Sequence, residues 1–428
     1  MSRRGVSCGL GSVNLSAHEA ITTRWTVHLL VAFSALIGLV EGPAEVACGL
    51  LVVSALATRR PSISTRDWVP LGLGVWVVAG LPGAFTSTAR ASSEDTLRPL
   101  LALAFVAGWT ALPLVRPKTL SAMGLAFGLA ISINAAYGYL QVGFGELPLD
   151  RVFLKNPSSP QIIDPVYWGQ RGASGSFYNR LKLAHMGALG LGLSAITAYS
   201  CKGRRRLVGI LSICVIGPAI ALTGARMAIV AAIVALAITL ALIASLRVWI
   251  GAAVVAVLAV SLVASTRAGR ARIERVAEDA EIRHTIHRVA WAVFETSPLV
   301  GVGHGRYRAA AEPFRKPEYA REWTVDAHSI PLHALAETGA VGFAGLMLSI
   351  IAGLATLVRR VRAGRDEDGD LVVFERFTLF GLLALLGLGV MHFPLHHANV
   401  AMAFWFLLAA STVDYRSLAV FANPDRRG

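Results

Sequence analysis

Apolar residues fall in long runs along this chain, and polar residues collect between them. The runs are 25–41, 44–58, 68–86, 97–115, 119–142, 181–200, 207–223, 227–246, 248–265, 328–358, 371–391 and 398–413. As helices most are long enough to cross roughly 30 Å of hydrocarbon. A transmembrane β-barrel would show short alternating segments instead. The pattern predicts an all-α polytopic integral membrane protein with about twelve transmembrane helices. It predicts a single transmembrane domain over residues 1–428. No internal repeat is visible.

Two polar stretches interrupt the runs and are expected to be external loops, 143–180 and 267–327. The first is rich in Pro, Gly, Ser and aromatics. In the second, residues 268–296 alternate charged and apolar positions at a helical period, so His284, Arg288, Trp291 and Glu295 share one face of an amphipathic helix. Pro298, Gly301, Gly303 and Gly305 then end it. From His328 the chain passes into an apolar helix. Helical spacing there puts His328, Leu332, Leu335, Gly339 and Gly342 on one face. His328 would stand at the water-facing end, with the glycines about 16 Å or more further in at 1.5 Å per residue. There they would admit a neighbouring helix or a lipid chain.

Composition agrees with that picture. The 428 residues are 55% hydrophobic and 15% charged, with a mean hydropathy of +0.59. The net charge of +14 is not a nucleic-acid signature, because much of it flanks the apolar runs. Arg59, Arg60 and Arg66, then Arg116 and Lys118, Lys202 and Arg204–Arg206, Arg247, and Arg359–Arg365 all fall on one side if the N-terminus is cytoplasmic. Arg416, Arg426 and Arg427 put the C-terminus there too. The N-terminal segment has no apolar core with a small-residue cleavage site, so no removable signal peptide is expected. Cys8, Cys48, Cys201 and Cys214 offer neither a disulfide framework nor a CxxC metal site.

Three residues converge on the external side by this topology: Arg226 at the turn between two spans, Arg288 on the amphipathic helix, and His328. Each has a plain alternative, namely an interfacial anchor, a solvated charge and a helix cap. Together they suit transfer from a lipid diphosphate. Arginine forks neutralise a leaving diphosphate, and a neutral imidazole accepts the proton of an attacking hydroxyl. With cations on the leaving group, no metal is required. Arg171, Asn179, Arg180 and Lys182 are candidates to complete the anion site, or are charges at a membrane surface. Trp291 would stack on a sugar face or pack on the membrane. His304, Arg306, Tyr307 and Arg308 would meet an anionic acceptor or lie in solvent. Glu337, an intramembrane carboxylate, is either functional or tied to a neighbouring helix. His392, His396 and His397 form a cluster without a supporting carboxylate pattern, so metal is not expected. GVGHG has no preceding strand and is not read as nucleotide binding. The acidic run Asp366–Asp370 lies on the cytoplasmic side, away from these candidates.

These residues resemble the O-antigen ligase and O-antigen polymerase superfamily of polytopic bacterial glycosyltransferases. The ligase signature, His then Asn, Ser or Gln, nine residues, Gly, two residues, then Gly, Thr or Tyr, is matched by His328-Ser329 and Gly339-Ala340-Val341-Gly342. Arg288, Trp291, Pro298, Gly301 and Gly303 match the superfamily's R-x-x-W and P-l-x-G-x-G segments. Thr223-Gly224-Ala225-Arg226 matches its turn, and Gly175, Phe177 and Asn179 its G-x-F-x-N. The resemblance covers roughly 170–345 and implies a glycosyltransferase C-like fold in the bacterial inner membrane. It implies a periplasmic active site without cofactor, with His328 as catalytic base and Arg226 and Arg288 on the donor diphosphate. Donor and acceptor would be an undecaprenyl-diphosphate-linked glycan and the lipid A core. The lipid tail would lie near Gly339 and Gly342. A secondary transporter of about twelve spans is the alternative from another class, but the paired repeats it calls for are missing.

Overall fold

Every apolar run that the structure describes is helical. The structure, a computed structural model, describes residues 17–58, 68–86, 98–145, 147–153, 163–164, 170–177, 179–244, 276–315, 326–365, 367 and 369–414. The expected span 248–265 lies outside them. The helices are α1 (Ala17–Leu39), α2 (Glu41–Thr58), α3 (Trp68–Thr86), α4 (Leu103–Ala111), α5 (Pro117–Phe144), α6 (Arg180–Ser200), α7 (Gly203–Leu222) and α8 (Arg226–Ile243). The amphipathic α9 (Val276–Thr296) follows, then α10 (Ile330–Ala363), α11 (Asp370–Met391) and α12 (Ala398–Thr412). A two-residue antiparallel pair, β1 (Ile163–Asp164) with β2 (Gln170–Arg171), lies in the first polar stretch.

The chain is an all-α polytopic membrane protein. Among the described residues six helices, α5, α6, α7, α8, α10 and α11, are long and apolar enough to cross a membrane. The run 97–115 is broken: α4 has 3-10 turns on both sides, Arg98–Ala102 and Leu112–Leu114, and each contains a proline, which removes an amide from the helical ladder. α12 has only 15 residues, because Pro394 and the polar His396–His397 pair precede it.

Two networks mark the two ends of the bundle. At one end Asn134 Nδ2 donates to the Gly38 carbonyl at 3.0 Å, Ser176 Oγ donates to the Leu39 carbonyl, and the Ala173 amide donates to the Leu222 carbonyl. Lys182, fully buried, pairs with Glu41, whose other oxygen accepts from the Ala398 amide. At the other end Arg205 pairs with Asp370, and Arg376 donates to Ser200 and to the carbonyls of Gly364 and Arg365. Between them one apolar core runs through the bundle, from Leu30 and Phe33 to Phe380, Leu385 and Phe404. α9 lies outside it. Ala290 and Val293 of α9 pack with Val302, Tyr307, Ala311, Ala327 and Ala336 in a small separate core.

α10 departs from the expected continuous helix. Gly339 has φ 63° and ψ −172°, so the helix is broken there. The broken ladder is closed by the segment after α9. The amides of Val302 and Gly303 donate to the carbonyls of Ala336 and Glu337, and the amides of Ala340 and Val341 donate to Pro298 and Leu299. His328 lies outside the helix, which begins at Ile330. The shared face of His328, Leu332, Leu335, Gly339 and Gly342 therefore does not form.

Candidate functional site

His328 is the one non-glycine residue with positive φ among the described residues, at 47°. Left-handed backbone is unfavourable for a side-chain-bearing residue and is held only where neighbours over-determine it. Here Ala327 is fully buried and Ser329 is 4% exposed, so both flanks are anchored while the imidazole is half-buried. The ring belongs to the network end that carries Lys182.

Arg226 reaches the same end through its turn. Thr223 Oγ1 donates to the Ile220 carbonyl at 2.6 Å and accepts from the Ala225 amide at 3.1 Å. Gly224, at φ 73°, makes the reversal. This turns Arg226 out as the first residue of α8, half-buried. Arg180 joins the turn, with Nη1 donating to the Thr223 carbonyl at 3.3 Å. Thus Arg180 is tied to the turn from which Arg226 follows.

α9 splits its polar residues between two faces. Arg288, His284, Trp291 and Glu295 are exposed, and Trp291 Nε1 donates to Glu295 Oε1 at 2.8 Å. Trp291 also packs on Phe294. The inner stripe carries Arg283 and His287, both half-buried. Burial pushes the His287 imidazole below its ordinary value, with Arg283 and His328 adding to the effect. His392 is lowered by burial, then by His185, Arg283 and His328. Arg283 is thus the α9 arginine that adds to the lowering of His287 and His392. Sequence reading missed it because the helical period marked the opposite face.

The motif around Gly175 also makes structural contacts. Gly175 has φ 63° and lies so close to Asn134 that a β-carbon would stand 1.9 Å from Oδ1. Phe177 is buried. Asn179 caps α6, its side chain accepting from the Leu181 amide at 2.8 Å. Lys182 neutralises Glu41, a partner with no signal in the sequence. Arg171 is described only in its backbone pairing with Ile163.

His392, His396 and His397 are joined by His185 from α6, whose ring centroid is 5.8 Å from His392 and 5.7 Å from His397. His396 Nδ1 lies 3.0 Å from Asp326. Among the described residues no group of three or more His, Cys, Asp or Glu is arranged to hold a metal. His185 could have been found as the imidazole three positions after Lys182, one turn along the same face.

A second polar cluster lies at the break in α10. Glu337 stands between His333 Nε2 at 3.3 Å and His304 Nδ1 at 3.8 Å, and accepts from the Tyr307 amide at 3.3 Å. His304 meets the Trp76 ring edge-on, His333 stacks on Phe393, and Tyr307 is 1% exposed. Burial raises the Tyr307 phenol well above its ordinary value. The GHGRYR segment is therefore packed inward at His304 and Tyr307 rather than solvated, while Arg306 is half-buried and Arg308 exposed. What approaches Gly339 is the backbone of Leu299 and Val300, rather than a lipid chain. Gly342 meets Thr338 and Ala79.

A comparison with curated proteins gives no match. Residues 209–347, roughly a third of the chain, match the model of the O-antigen ligase family. That stretch contains Arg226, Arg288 and His328 together with the break at Gly339 and the segment that closes it. By this match residues 209–347 are similar to the O-antigen ligase family.

Proposed function

We propose that the protein is an O-antigen ligase that transfers a polysaccharide from undecaprenyl diphosphate to a sugar hydroxyl of the lipid A core. The reaction takes place at the Lys182–His328 end, on the periplasmic face of the bacterial inner membrane, with both termini in the cytoplasm. The His328 imidazole takes the proton of the acceptor hydroxyl. The hydroxyl oxygen forms the new bond to the anomeric carbon, and the old carbon–oxygen bond breaks toward the diphosphate, which leaves with the electron pair. Attack opposite the leaving group inverts the anomeric centre. Arg226 and Arg288 neutralise the charge growing on the diphosphate, as paired guanidinium forks do, so that no metal is called on. Arg180 supports Arg226 at its turn.

The observation that carries this reading is the strained backbone of His328, pinned on both sides. Strain of this kind collects at functional sites. The test is transfer by purified protein from lipid-linked glycan to defined acceptors with a chelator present. Product on lipid A core, lost in His328→Ala and weakened in Arg226→Ala and Arg288→Ala, is expected. Lengthened lipid-linked chains instead would identify a polymerase. Full turnover in His328→Ala would remove the base.

A further inference from the structure

A cavity lies between α5, α7 and α11, with residues of α1, α6 and α12 also lining it. It measures about 510 Å³. Its walls are Met123, Phe127, Leu193, Val208, Phe377 and Phe406, and its rim carries Arg204, Arg205 and Asp370. Along α7 it runs from Arg204 to Val215, about 16 Å at 1.5 Å per residue. That depth is about half of the roughly 30 Å hydrocarbon core, or one leaflet. Its charged lining residues, Arg204, Arg205 and Asp370, lie at the Arg205–Asp370 end of the bundle, opposite the Lys182 end.

Width comes from glycine. A β-carbon at Gly124 or Gly128 would meet only Leu193, at 3.8 Å, so α5 leaves space there that a larger side chain would fill. Charge comes from α7. Lys202, Arg204, Arg205 and Arg206 are all exposed. At the cavity itself Asp370 pairs with Arg205, and Arg204 beside them leaves the rim net positive. An apolar slot one leaflet deep beneath a cationic rim is complementary to a chain whose head is an anion at the membrane surface.

We propose that this cavity binds an anionic phospholipid of the leaflet at the Arg204 end, with one acyl chain in the slot and its phosphate at Arg204 and Arg205. The site is separate from the glycan-transfer site and does not depend on the reading of that site. Occupied, it fills the gap between α5 and α7 where side chains leave one.

Native mass spectrometry of full-length protein tests this, with phosphatidylglycerol or phosphatidylcholine titrated into delipidated samples. Phosphatidylglycerol should bind at least tenfold more tightly than phosphatidylcholine. Gly124→Leu and Gly128→Leu should abolish that bound lipid, and Arg204→Gln should bring the two lipids within about threefold. Gly124→Ala, which leaves the slot open, should bind as the parent does. Equal binding of both lipids by the parent, or phosphatidylglycerol retained by both leucine variants, overturns the proposal. Should a leucine variant not fold, the Arg204→Gln comparison decides alone, and unchanged selectivity there overturns the rim assignment.

Discussion

Gly301 and Glu337 meet backbone to backbone: a β-carbon at Gly301 would stand 2.3 Å from the Glu337 carbonyl. Two residues on, one at Gly339 would stand 2.3 Å from the Leu299 carbonyl. The contact sets the geometry of both the broken helix and the cluster around Glu337.

Gly339→Ala should therefore destabilise the protein. Left-handed backbone alone costs about 1–3 kcal/mol for a side-chain-bearing residue, and the clash with Leu299 adds to it. Gly74→Ala, with no atom within 4 Å of the added carbon, should leave the melting temperature within error. Thermal unfolding in one detergent compares them. Equal melting temperatures would show that the break is not held as described.

Glu337→Leu removes the acceptor for the Tyr307 amide and the carboxylate between two imidazoles. A buried group left unpaired costs about 1–3 kcal/mol. Glu337→Gln keeps an acceptor and should lose less. If Leu proves no worse than Gln in thermal unfolding, the carboxylate has no structural role.

Acid should loosen the His328 end. His287 and His392 are both held below the ordinary imidazole value of 6.5, first by burial. Their neutral forms belong to the folded state, so the stability they contribute is present above pH 6.5 and is lost as pH falls through their lowered folded values. The melting temperature should be level from pH 7 to 8 and decline below about 6.5. His392→Gln should flatten the decline. Arg283→Ala removes a charge that lowers both histidines, so the native protein should tolerate their protonation better. A pH–melting curve unaltered by both variants would count against the coupling.

Asn179→Ala should cost about 1 kcal/mol, the usual value of a lost N-cap, and Asn179→Ser should restore most of it. Donor affinity of folded Asn179→Ala should match the parent. Weaker donor binding at equal stability would place Asn179 in the substrate site as well.

Much of the architecture was legible in hydropathy, since a helix that meets lipid must show its length as an apolar run. The helix end at Pro298 and the exposed face with Arg288, Trp291 and Glu295 were legible as well. Misreadings came where partners are distant in sequence. Nothing near Gly339 announces that Leu299 will press on it, and nothing near Lys182 announces Glu41. His328 was read as helical because the period runs through it, whereas Pro331 fits the first turn of a helix that starts after His328. Arg283 and His287 were passed over because an amphipathic helix shows its polar face first, and half-buried polar residues interrupt the other face without altering the period.

The four amide–carbonyl bonds between 298–303 and the break at Gly339 act as a splint. They make the outer turns of α10, which follow directly from His328, one body with the end of α9. Tilting α9 would therefore carry the first turns of α10 along with it, and with them the segment that leads in from His328.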